Sequence, residues 1–216
     1  MKICAIKHNS LNEDFEIFKN KLISAVGTNS DIIIGPYDSF GRGLSTKERK
    51  EEVYNQVQNL SSKCDSLIIP GTISYPINER EMVCESPVFH MGNLLNVFCK
   101  EKDNGEEKLA EENGYIYKRG NNSKNRFYFK GKEIAVELCG DHGVQDVKGC
   151  DLELILAFDS RAGFWINASN DNLKRKAIVC DGYAPKVEVF DYNPERRDKL
   201  RFVPSEEENS LVTAFV

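Results

Sequence analysis

The residues best placed to do chemistry lie in one stretch, Glu133-Ile134-Ala135-Val136-Glu137-Leu138-Cys139-Gly140-Asp141-His142. A β-type apolar run ends in a cysteine, and a glycine follows at once. That pattern presents a thiol at the C-terminal tip of a strand, with a sharp turn permitted by the glycine. A turn or helix opening after Cys139 would direct free N–H groups at the sulfur and favour thiolate over thiol, as a nucleophile requires. The competing reading is a buried structural thiol, because free cysteine is among the most buried residue types and the chain has seven.

Elements that could position such a thiol are visible along the chain. Residues 2–6 read as a strand. Phe15, Ile17, Phe18, Leu22, Ile23 and Val26 recur at helical spacing, with Asn12 as a cap and Gly27 as the stop. The continuous apolar run Ile32-Ile33-Ile34 reads as a strand buried on both faces. Ser45 or Thr46 with Glu48 resembles a capping box ahead of a helix over 45–62. Ser66 to Pro70 is another buried strand. This alternation argues for α/β architecture. Further strands are expected at 87–91, 94–99, 152–157, 177–180 and 187–190, with weak candidates at 200–203 and 211–215. A hairpin joins 127–129 to 134–138 through Gly131. Residues 164–176 read as helical. Residues 37–45, 72–86 and 101–125 read as loops, the last a long polar excursion.

The totals narrow the function. At 216 residues the chain is expected to be a single domain over 1–216, with a C-terminal arm at about 191–216. Its net charge of −5 shows none of the basic excess of a nucleic-acid binder. No apolar run is long enough for a membrane span, and the N-terminus lacks a signal-peptide layout. The cysteines are scattered without a Cys-x-x-Cys pair, and only three histidines are present, so no metal site and no cofactor is expected. Reduced thiols and a cytoplasmic location follow as expectations.

Three pieces in order carry a family resemblance: Asp31-Ile32-Ile33-Ile34-Gly35-Pro36-Tyr37-Asp38, then Leu94-Leu95-Asn96-Val97-Phe98-Cys99-Lys100, then Lys132 through Asp141. Together they resemble the nitrilase, or carbon–nitrogen hydrolase, family. There one strand ends in Pro-Glu, a later one in aromatic-x-Lys and a third in Cys-x-Asp. The run Gly149-Cys150-Asp151-Leu152-Glu153-Leu154 is similar to that family as well. The resemblance implies a four-layer α-β-β-α sandwich, a Glu-Lys-Cys triad, hydrolysis of a small amide or nitrile through a Cys139 thioester, and a homodimer. It implies Lys100 and the N–H of Gly140 as oxyanion donors, with Lys102 a rival amine. It also implies a further supporting Glu, for which Glu106 or Glu107 is available.

One departure stands out: Tyr37 occupies the place of the expected Glu base. Either Asp38 or another carboxylate serves as the base, or the chain is a non-catalytic binding or assembly module on the same scaffold. Tyrosine itself is a poor base, with a reference pKa of about 10. Asp141 is expected to shape the turn after Cys139. His142 offers a Cys-His dyad only if that turn keeps it near. Phe164 and Trp165 are candidates for a pocket wall, with core packing as the alternative.

Overall fold

The early strand–helix alternation folds into parallel strands with helices on one side. The computed structural model describes residues 1–103, 105–120, 125–141, 150–158, 175–193, 195, 200–202 and 205–216. Strands β1 (Lys2–Ile6), β2 (Ile32–Ile34) and β3 (Leu67–Ile69) pair in parallel. Helices α1 (Phe15–Val26) and α2 (Lys47–Ser61) connect them. Within β2 the isoleucines divide by parity, as pleating demands. Ile33 packs with Phe18 and Leu22 of α1 and Val57 of α2, whereas Ile32 and Ile34 face the opposite side. Each such buried aliphatic stabilises the fold by roughly 1.5–3 kcal/mol.

The cap of α1 lies two residues beyond the expected one, whereas α2 takes one of its two expected caps. Asp14, not Asn12, caps α1, accepting from Ile17 N at 3.0 Å. Thr46 caps α2, accepting from Arg49 N at 3.1 Å, so a Ser45–Glu48 box does not form.

Beyond β3 the chain extends the same sheet. Strands β4 (Ile73–Pro76), β5 (Glu81–His90), β6 (Asn93–Cys99) and β7 (Ile116–Tyr117) join it, β4, β6 and β7 all pairing with β5. The loop expected over 72–86 is therefore largely strand, its short apolar alternation masked by Pro76 and the polar turn at 78–80. The excursion expected over 101–125 also holds structure: a short helix, α3 (Glu106–Glu112), precedes β7.

A second sheet follows, built from β8 (Arg126–Phe129), β9 (Lys132–Leu138), β10 (Leu152–Ala157), β11 (Arg175–Asp181), β12 (Lys186–Tyr192) and β13 (Leu200–Phe202). Its order is β13-β12-β11-β10-β9-β8, with β9, β10 and β11 parallel. Lys130 and Gly131, both at positive φ, close the β8–β9 hairpin. Of the helix expected over 164–176, residues 164–174 lie outside the described residues, and Arg175 and Lys176 instead open β11.

The two sheets stack over a common core of Ile32, Ile34 and Ile69 from one and Val136, Leu138, Leu154 and Ile178 from the other. The outward residues Ile155, Ala157, Val179 and Phe190 of the second sheet are buried too, so that face is also covered. The terminal strands β14 (Glu206–Glu208) and β15 (Leu211–Phe215) return to the first sheet, β15 pairing antiparallel with β1. The apolar tail thereby satisfies the free edge of β1. Among the described residues no helix is long and apolar enough to cross a membrane.

Candidate active site

Parallel strands deliver their C-terminal tips to one end of the sandwich, and the sequence candidates sit on those tips. Cys139 follows β9 directly and opens a 3-10 turn over Cys139–Asp141. Its φ of 50° is left-handed, a costly conformation for a residue with a Cβ. The side chain is half-buried, and the thiol donates to the carbonyl of Phe158 at 3.5 Å. Burial pushes the thiol above its usual range. The Lys100 ammonium opposes that shift, and the carboxyl groups of Glu106 and Asp38 add to it. These four groups therefore lie within electrostatic reach of one another.

Lys100 follows β6, with its N–H on the carbonyl of Cys84 at 2.8 Å. Its side chain is fully buried. Nζ donates to Glu106 Oε2 at 2.8 Å and to the Lys102 carbonyl at 2.8 Å. The Tyr37 ring centroid lies 5.7 Å from Nζ. An ammonium carries three donors, and among the described residues two of them are taken. The Lys102 side chain is exposed and Lys102 contributes only its carbonyl, which removes it as a rival amine.

Glu106 opens α3 and is buried, whereas Glu107 next to it is exposed and pairs with Arg119. Glu106 uses both oxygens, Oε2 on Lys100 and Oε1 on the Tyr37 hydroxyl at 2.6 Å. A signal for this helix does exist in the sequence. Asp103 accepts from the N–H groups of Gly105 and Glu107, an Asx-type start, and Gly114 follows the helix end.

Tyr37 is buried, and its hydroxyl also lies 3.0 Å from Cys84 Sγ. Burial, then the charges of Cys84 and Glu106, hold the phenol well above its usual range. Tyr37 is thus a neutral donor at physiological pH and no base. Asp38 sits beside it at φ 57°, with its N–H on Thr72 Oγ1 at 2.8 Å. Burial and repulsion from Glu106 raise its carboxyl to about 7, against the pull of Arg42 and Lys100. The loop follows this path because Gly71, at φ 120°, leaves room for it. A Cβ there would stand 2.0 Å from Ser39 Oγ and 2.2 Å from the Pro36 carbonyl.

Asp141 does more than shape its own turn. It is fully buried, and it accepts from Glu101 N at 3.0 Å and Lys102 N at 2.6 Å. The Cys139 turn is thereby tied to the chain leaving Lys100. Gly140 sits half-buried within that turn. His142, Phe164 and Trp165 lie outside the described residues. Arg42, Cys84, Tyr117 and Phe158 escape sequence reasoning. The Tyr117 hydroxyl, for instance, donates to the Lys100 carbonyl at 2.8 Å from a strand of two residues. A cavity of about 230 Å³, lined by Lys132, Asp151 and Lys176, lies at the opposite strand ends, remote from Cys139.

No protein-family model and no curated protein sequence matches the chain. Solved structures do. A variant of the amidase from Nesterenkonia sp. AN1, carrying the product of Michael addition of acrylamide at its active-site cysteine, superposes with a TM-score of 0.70 at 9% identity. That alignment covers 100% of this chain and 93% of that one. Another structure of the same amidase, described as from the nitrilase superfamily, gives 0.70 at 12% identity over 99% and 89% of the two chains. Saccharomyces cerevisiae Nit3, a member of branch 10 of that superfamily, gives 0.70 at 13% identity over 99% and 89%. With the stacked sheets and helical layer described above, these likenesses show that the chain has the α/β sandwich fold of the nitrilase superfamily.

Proposed function

We propose that the protein is a thiol amidohydrolase that cleaves a small non-peptide amide through a thioester on Cys139. The observation that carries this reading is a strained cysteine and a fully buried lysine, each closing a strand and tied together through Asp141, with the carboxyl groups of Asp38 and Glu106 acting on them. Asp38, with its carboxyl near 7, takes the Cys139 proton. The sulfur attacks the amide carbon, the C–S bond forms, and the carbonyl π pair moves onto oxygen. The third N–H of Lys100 receives that oxyanion. Collapse breaks the C–N bond, and the proton on Asp38 leaves with the amine. Water then loses a proton to Asp38 and attacks the thioester; the C–S bond breaks and the proton returns to sulfur. Glu106 acts through Lys100 as a positioning residue, because both of its oxygens are occupied.

Supplying small primary amides and measuring ammonia release tests the reading. Mass spectrometry should find the acyl adduct on the Cys139 peptide during turnover. Ammonia release that survives Cys139→Ala would end it.

A second reading rests on Tyr37. Its ring fills space beside Lys100, and its hydroxyl takes the Glu106 oxygen. On that reading the domain binds or assembles without turnover. Tyr37→Glu separates the two: newly created amide turnover marks a site that had lost its base, whereas ordinary turnover by the native protein rejects this second reading.

A further inference from the structure

We infer that the cavity at the strand ends opposite Cys139 is a second binding site, and that it takes a free α-amino acid with an aliphatic side chain. β9 opens at Lys132 and closes just before Cys139, so its seven residues, roughly 23 Å of strand, separate the two sites. The inference does not depend on the chemistry proposed for Cys139.

The cavity is cut into the end of the space between the sheets. Ile134, Leu152, Ile178 and Val189, on neighbouring strands of the second sheet, all face the core that fills this space. Side chains alternate along a strand, so Lys132, Lys176 and Asp191, each two residues from one of these, stand at inward positions as well. Lys176 is in register with Leu152 on one side and with Asp191 on the other. With Asp151 these charged residues line a volume of about 230 Å³, whose remaining wall of Met1, Leu152 and Val216 is apolar and packs on the core. That is below the roughly 300–1,000 Å³ of pockets for drug-sized ligands, so it suits a smaller molecule.

The charges are arranged for a zwitterion. Two lysines and two aspartates balance, so a simple anion or a simple amine would meet groups of its own sign. Lys132 lies 3.5 Å from Asp151, whose other oxygen accepts from Glu133 N at 2.9 Å. Lys176 and Asp191 are directly opposed, which sets their Cβ atoms about 4.5–5.5 Å apart. Among the described residues the Lys176 ammonium makes no ion pair or hydrogen bond. An α-amino acid carries its carboxylate and its ammonium on one carbon. The carboxylate can therefore meet Lys176 while the ammonium meets Asp191, a carboxylate having lone pairs for several donors. An aliphatic side chain then lies on the apolar wall and leaves water.

Calorimetry and nitrogen–proton NMR spectra of the full chain test this with L-leucine and two truncated analogues. Isocaproate lacks the ammonium, and isopentylamine lacks the carboxylate. Leucine should bind at least about tenfold more tightly than either, and should shift the amide signals of Leu152, Lys176 and Asp191. Lys176→Met and Asp191→Asn should each weaken leucine about tenfold or more, and Lys176→Arg should restore most of the loss. Cys139→Ala should leave the affinity within about twofold. Absence of leucine binding, an analogue that binds as tightly as leucine, or an affinity indifferent to Lys176→Met overturns the inference. Should Lys176→Met fail to fold, the native spectra decide: leucine-induced shifts centred on the strand tips around Cys139, not on Lys176, overturn it equally.

Discussion

Adjacent residues of β5 point into two different buried carboxylate clusters. Cys84 faces the space between the sheets, where Tyr37 donates to Glu106 at 2.6 Å. Glu85 faces α2, where Tyr54 donates to it at 2.6 Å and Tyr75 at 3.0 Å. Both clusters bury a glutamate with tyrosine hydroxyls and hold a thiol beside it, Cys84 buried in one and Cys99 half-buried in the other. In the Glu85 cluster the cation stays outside, with Lys50 Nζ lying over the ring of Tyr54 at 4.2 Å. Burial and the Glu85 charge push Cys99 up to about 11, against the pull of Lys118. In the Glu106 cluster the ammonium is inside and fully buried, and both Cys139 and Asp38 sit in the left-handed region. A buried glutamate with phenol partners is therefore an ordinary way to satisfy a core. An enclosed cation with strained neighbours is a costly arrangement, and the hydrolase reading gives that cost a purpose.

The sharpest way to break this contrast is at the two thiols. Cys139→Ala is expected to lower turnover at least about 10⁴-fold, while Cys99→Ala stays within about twofold, measured as ammonia release. Equal losses would erase the distinction.

Next comes Asp38→Asn, expected to cost about 10²–10⁴-fold in kcat/KM. Native activity should rise with pH through about 7, as Asp38 ionises. The stability effect of this group runs the other way. Its folded-state pKa is raised above the ordinary value of 3.8, so its contribution is full below about 3.8 and is lost as pH rises through about 7. Urea titrations across that window should show Asp38→Asn removing this fall in stability.

The two lysines sharpen the comparison energetically. Lys100→Met leaves Glu106 buried without its cation and is expected to destabilise by about 3–5 kcal/mol. Lys50→Met loses contact with aromatic faces and an ion pair to Glu51 at 3.0 Å, all at a partly exposed site, about 0.5–1 kcal/mol. Chemical denaturation of the two variants checks both. The smallest effect belongs to the phenols. Tyr37→Phe should cost about 1–3 kcal/mol, and Tyr75→Phe about 1 kcal/mol because Tyr54 still serves Glu85 at the same oxygen.

Legibility in the sequence tracked how local each cause was. The run Ile32-Ile33-Ile34 and the stretch ending at Cys139 announce strands, because apolar runs and an adjacent glycine act within a few residues. Cys139 and Lys100 were legible as candidates for the same reason, each closing a strand. Glu106 was harder: a helix of seven residues gives barely two turns of periodicity, so α3 read as a polar loop. β7, two residues long, gave no pattern at all.

The order of residues alone determined which side chains end their strands, which helices carry an apolar face, and that a tyrosine stands where a glutamate was expected. Only the tertiary structure decided which carboxylate meets Lys100, and that Asp141 reaches across to the chain beyond Lys100. Those contacts join residues between 6 and 40 positions apart. Hydrogen bonds and charges act through space over a few ångströms, so they are set by which loops the packed sheets bring together, and no local spacing encodes that.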